Sequence, residues 1–136
     1  MKTKGQITKH FSVDEVANPS AKEEYDLVIS PEMIAHLQRL ETFRVWFGGA
    51  MIVTSGYRTK AFNEKVGGIP NSLHLTGEAT DIKMKTSTSV WNLYAGKWQE
   101  ICKNAGVGGE IIRHNTYIHF GSSAKRKGFI RRDETT

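Results

Sequence analysis

Ser72-Leu73-His74-Leu75-Thr76-Gly77-Glu78-Ala79-Thr80-Asp81 is the stretch around which the rest of the chain arranges itself. His74 and Asp81 lie seven positions apart with Gly77 between them. Ligands on one helix face fall three or four residues apart, so this spacing does not suit a helix. It suits a ligand on a loop, a glycine turn, and a second ligand on the strand that follows. Imidazole nitrogen and carboxylate oxygen both bind zinc, and a catalytic zinc takes three protein ligands and keeps one open position. His119, in Tyr117-Ile118-His119-Phe120, is the best candidate for the third.

The flanking pattern is that of an α+β fold, a small antiparallel sheet carrying the metal site and about three helices around it. Ser12 and Glu15 form a capping box for a short N-terminal helix, which Asn18-Pro19-Ser20 breaks; residues 21–26 read as loop. Ser30 caps and Pro31 opens the clearest helix, with Met33, Ile34, Leu37, Leu40, Phe43 (or Val45) and Phe47 inward, His36 on the surface, and Gly48-Gly49 as its stop. Ala50 to Ser55 reads as a buried strand. Thr59 to Val66 reads as a short helix with Ala61, Phe62 and Val66 inward. Ala79 to Met84 is a strand, and the period of two puts Ala79 and Asp81 on one face. Thr86 to Ser89 caps a helix through Ala105, with Val90, Leu93, Tyr94, Trp98, Ile101, Cys102 and Ala105 inward. Gly108-Gly109 reads as loop, and Glu110–Arg113 with Tyr117–Phe120 as a hairpin turning at His114-Asn115-Thr116.

A chain of 136 residues fits one domain, here with a core over about residues 11–121 and a basic tail, 122–136, whose last ten or so residues read as mobile. Its 38% hydrophobic and 24% charged residues are those of a folded protein. The net charge of +5 is concentrated at the two ends, where Lys125, Arg126, Lys127, Arg131 and Arg132 read as solubilising charge; His10 is read as a surface residue. Neither nucleic acid nor membrane is expected as a partner, and a monomer is expected. Cys102 is the sole cysteine, so no internal disulfide and no cysteine metal cluster can form. No apolar run is long enough to span a bilayer or to act as a signal peptide, so synthesis in the cytoplasm is expected.

Ser55-Gly56-Tyr57-Arg58, then Ser72-x-His74-x-x-Gly77-x-Ala79-x-Asp81, then His119 on a late strand, resemble the zinc D-Ala-D-Ala carboxypeptidase family, which shares its fold with lysostaphin-type peptidases and the hedgehog domain. The resemblance runs from about Phe11 to Gly121 and is nearest to a small single-domain branch of bacteria and their phages, in which such domains often serve as endolysins. It implies zinc held by His74, Asp81 and His119, lowering the pKa of a bound water toward ~7 and polarising the scissile carbonyl. Arg58 is similar to the arginine that stabilises the oxyanion, and Ser72 to a substrate-positioning serine; Tyr117, on the face of His119, is a further candidate substrate contact. The implied substrate is a peptide of peptidoglycan. Many relatives carry a glutamate three residues before the last histidine as general base, where this chain has Thr116. His114 is then the first candidate base and Glu110 the second. Close relatives often carry aspartate at the position of Gly121.

Overall fold

A computed structural model describes residues 5–17 and 29–136; the breaker at 18–20 and the loop at 21–26 lie outside the described residues. Helix α1 (Val13–Val16) carries the expected capping box between Ser12 and Glu15. Helix α2 (Pro31–Phe47) begins where Ser30 Oγ accepts from Met33 N at 3.1 Å and ends at Gly48, whose φ of 74° is the left-handed conformation that glycine adopts without a Cβ clash. Strand β1 (Ile52–Ser55), helix α3 (Lys60–Lys65), a single 3₁₀ turn (Leu73–Thr76), strand β2 (Ala79–Lys83) and helix α4 (Thr88–Asn104) follow. Strands β3 (Gly108–Arg113), β4 (Ile118–Ser123) and β5 (Phe129–Asp133) complete the chain.

The five strands form one sheet in the order β1-β2-β4-β3-β5. The fold is α+β as expected, but the sheet is mixed: β5 runs parallel to β3, from Gly109↔Phe129 to Arg113↔Asp133. One sheet face packs on α2 and α4 through Ile82, Ile111, Ile118 and Phe120 against Leu37, Leu40, Phe43 and Trp98. Phe120 meets Phe43 at 4.9 Å and Trp98 at 5.3 Å between ring centroids, both edge to face. Trp98 Nε1 also donates to the carbonyls of Glu110 and Gly121, 3.1 Å each, which pins α4 across β3 and β4. Truncating so large a buried ring costs about 3–5 kcal/mol.

Several local expectations are corrected. His36 is fully buried, not on the surface. Its ring lies between Ser122 Oγ (2.7 Å) and Thr80 Oγ1 (2.9 Å), so it satisfies both nitrogens inside the core. His10 is half-buried and paired with Glu41. β1 is an edge strand rather than a buried one, and Ile52 is 56% exposed. In α3 the buried residue is Asn63, while Ala61 and Val66 face solvent. In α4 the stripe runs through Trp91, Ala95, Trp98, Ile101 and Cys102, leaving Leu93 and Ala105 exposed. Cys102 is buried, as expected of a small core residue, and burial pushes its thiol up to about 12.

Gly108 and Gly109 open β3 instead of forming a loop. A Cβ on Gly109 would stand 2.7 Å from the Gly121 oxygen, so strand and neighbour meet there only because the side chain is absent. The tail does not fade after Gly121: β4 continues to Ser123, and β5 adds an outer strand. Its mostly polar sequence hid it, because an edge strand has a largely solvated surface. Among the described residues no helix is long and apolar enough to cross a membrane.

Candidate metal centre

The face of the sheet turned away from α2 and α4 carries the site. Chain entry is set by the 3₁₀ turn, where Ser72 Oγ accepts from His74 N at 3.2 Å. Gly77 ends the turn at φ 76°, and a Cβ there would lie 2.5 Å from Met33 Cε. Glycine is therefore demanded both by conformation and by space. β2 begins two residues later and brings Asp81 opposite His119 in register.

Asp81 Oδ1 lies 2.8 Å from His119 Nδ1 and 3.3 Å from His74 Nε2. One ligand atom from each of the three residues falls within 4.8 Å of the others, and the two imidazole centroids are 5.2 Å apart. His74 Nδ1 donates to the carbonyl of Gly56 at 2.7 Å, so Nε2 is the nitrogen turned to the cluster. A second partner of this kind is what fixes the tautomer of a metal-binding histidine. Two imidazole nitrogens and one carboxylate, buried and convergent, fit a zinc ion with one position left open.

Charge within the cluster is strongly coupled. Burial would raise the Asp81 carboxyl, but the hydrogen bonds from His119 and His74 outweigh it and hold the carboxyl well below the usual range. Burial likewise opposes a charge on His119, yet its bonds to Asp81 and Glu110 push it up to about 9. A cation held by the three residues would take the place of that proton.

Arg58 follows β1 and reaches the same point. Its backbone N donates to the His74 carbonyl at 2.9 Å, and its Nη2 lies 3.7 Å from Asp81 Oδ2. Nη1 donates to Asn63 Oδ1 at 3.2 Å and Nε to Ser55 Oγ at 3.4 Å. Asn63 in turn donates to the Ile69 carbonyl at 2.8 Å, tying the arginine to the loop that leads into Ser72. Sequence reading missed Asn63; the one available signal was a polar residue that α3 has to turn inward.

The remaining candidates separate. Glu110 stands on the site face, with Oε2 2.6 Å from His119 Nε2. His114 does not join it: its ring stacks on Tyr117 at 4.4 Å, and its Nδ1 faces Glu134 Oε1 at 3.9 Å. Tyr117 precedes β4 near the cluster; burial and then the Asp81 charge raise its phenol, against the lowering effect of Arg58. The Ser72 hydroxyl caps the 3₁₀ turn. A cleft of about 340 Å³ lined by Tyr57, Arg58 and Leu75 opens beside the arginine.

No curated protein matches the chain. A family model described as Peptidase M15 matches residues 9–121, a span that holds His74, Asp81, His119, Arg58 and Glu110. By that match the chain belongs to the peptidase M15 family of zinc-dependent peptidases.

Proposed function

We propose that the protein is a zinc peptidase that hydrolyses a peptide bond in the stem peptides of peptidoglycan, either as a D-Ala-D-Ala carboxypeptidase or as an endolysin-type endopeptidase. The observation that carries this reading is the convergence of His74, Asp81 and His119 with the Arg58 guanidinium 3.7 Å from Asp81. When bound, zinc supplies Lewis acidity and lowers the pKa of water at the open position.

The chain's own residues do the rest. Arg58, braced by Asn63 and Ser55, offers its guanidinium to the oxyanion that forms on the scissile carbonyl. Ser72 and Tyr117 contact the peptide. Of the two groups named as proton acceptors, Glu110 touches the ligand set and His114 is turned to Glu134. The cleft beside Arg58 leaves room for peptide next to the cluster. The chain acts as a monomer without nucleic acid or membrane partners. It is made in the cytoplasm and reaches the wall through a lysis pore, as a phage lysis protein would.

The test is digestion of purified peptidoglycan and soluble muropeptides by zinc-loaded protein, read by mass spectrometry, with a chelator and His74→Ala as controls. New fragments that vanish in both controls support the reading, and their masses identify the bond. Zinc binding with a raised melting temperature but no fragments would replace it with a zinc-stabilised module, catalytically weak, that binds the wall or serves in a phage particle.

A further inference from the structure

His119 has two ring nitrogens and each is engaged by a different carboxylate. Nδ1 faces Asp81 at 2.8 Å, within the ligand cluster, and Nε2 faces Glu110 at 2.6 Å, away from it. Glu110 comes from the neighbouring strand, and its register partner on β4 is Gly121, not His119. The carboxylate reaches His119 diagonally because position 121 has no side chain. A Cβ on Gly121 would stand 2.7 Å from Glu110 Cγ and 3.2 Å from its Oε2. The vacant pleat at 121 is the seat of the Glu110 side chain.

The other oxygen of Glu110 is held as well. Arg126 Nη1 donates to Oε1 at 3.2 Å, and Arg126 Nη2 donates to the carbonyl of Asn71 at 3.2 Å, the residue before Ser72. The arginine backbone is itself fixed: its N–H donates to the Ser123 carbonyl at 3.1 Å and its carbonyl accepts from Gly108 N at 3.0 Å. Arg126 therefore connects the β4–β5 turn, the inward carboxylate of β3 and the segment that enters the 3₁₀ turn.

We propose that Arg126 is a positioning residue of the metal centre, holding Glu110 over Gly121 so that Glu110 keeps the proton on His119 Nε2 and leaves Nδ1 to the metal. This rests on the metal-site reading above and adds to it a role for Glu110 that differs from proton acceptor. Carboxylate, histidine and metal in line is an arrangement that orients the ring and raises its basicity, and losing the carboxylate weakens metal binding about 10- to 100-fold. Arg126 supplies a counter-charge to this mostly buried carboxylate.

The experiment measures zinc affinity of the full chain by competition with a chromophoric chelator, without substrate. Glu110→Ala is expected to weaken zinc about 10- to 100-fold and Arg126→Ala to weaken it by a smaller factor, with Arg126→Lys recovering part of the loss. The double variant should bind zinc no more weakly than Glu110→Ala alone, since Arg126 acts through that carboxylate. In zinc-loaded wild type, ¹⁵N-edited spectra should show a protected Nε2 proton on His119 that exchanges faster in Arg126→Ala. Wild-type affinity and exchange in Arg126→Ala, or losses that add in the double variant, would overturn the proposal. Should Glu110→Ala fail to fold, the Arg126 pair carries the measurement alone. Wild type that binds zinc but cuts no peptide removes the peptidase reading and leaves this one standing.

Discussion

Nδ1 of His74 donates to the carbonyl oxygen of Gly56 at 2.7 Å, so the first candidate metal ligand is steered by the segment that carries Arg58. Gly56 is itself pressed against α1: a Cβ would stand 2.4 Å from the Val16 oxygen, which already accepts from Tyr57 N at 2.7 Å. Gly56→Ala must therefore push this segment outward, and it moves ligand and arginine together. We expect a stability loss of about 1–3 kcal/mol, measured by urea unfolding, with weaker zinc binding in the same protein. Unchanged unfolding and zinc affinity would show that the contact steers nothing.

Zinc should stabilise the fold through the three ligands. With free zinc at 100 times its dissociation constant, mass action gives about 2.7 kcal/mol. Thermal or chemical unfolding with and without a chelator reads this directly. Asp81→Asn, which leaves a neutral side chain between two imidazoles, should lose most of the difference, and a variant that keeps it would mean the ion binds elsewhere.

Removing Arg58 should separate chemistry from metal binding. Loss of one oxyanion donor lowers kcat by about 100- to 1000-fold, and Arg58→Ala is expected in that range with zinc affinity changed far less. Arg58→Lys should recover only part, because a point ammonium cannot bond Asn63 and the substrate with the geometry of the guanidinium. A kcat near wild type in Arg58→Ala would remove the arginine from the chemistry.

Below neutral pH the buried His36 should cost stability. Burial, with the positive charges of Arg39, His119 and His74, holds its pKa well below 6.5. The folded state keeps the ring neutral while the unfolded chain takes up a proton, so stability is present above the unfolded pKa and falls as pH drops below it. The slope attributable to this one group reaches about 1.4 kcal/mol per pH unit. Unfolding of metal-free wild type and His36→Gln between pH 7.5 and 5.5 should show the gap between them narrowing on acidification. A constant gap would place the proton elsewhere.

The grouping of His74 with Asp81 was legible from sequence because it is local, a turn, a glycine and a period-two strand, and His119 joins them across the β2–β4 pairing. The place of Arg58 beside Asp81 was legible too, since it lies shortly after the end of β1. What escaped was decided across the sheet. His36 sits in a polar pocket made by Thr80 of β2 and Ser122 of β4, partners 44 and 86 residues away. The seating of Glu110 depends on an absent side chain at Gly121, one strand over. Sequence alone did not show the neighbours of His114, whose ring stacks on Tyr117 and whose Nδ1 faces Glu134. Trp91 replaced Leu93 in α4 because the stripe follows the faces of α2 and the sheet rather than hydropathy alone.

β5 changes what the basic C-terminal residues are for. The strand covers one edge of β3 and in its place presents Arg131, Arg132 and Asp133, charges that discourage another chain from pairing there. A fragment trimmed to the family match at residue 121 would keep every ligand, yet expose a glycine-opened, apolar strand edge and lose Arg126 as well. Such a fragment is expected to aggregate, so the segment that looked like an appendage is the sheet's guard against its own copies.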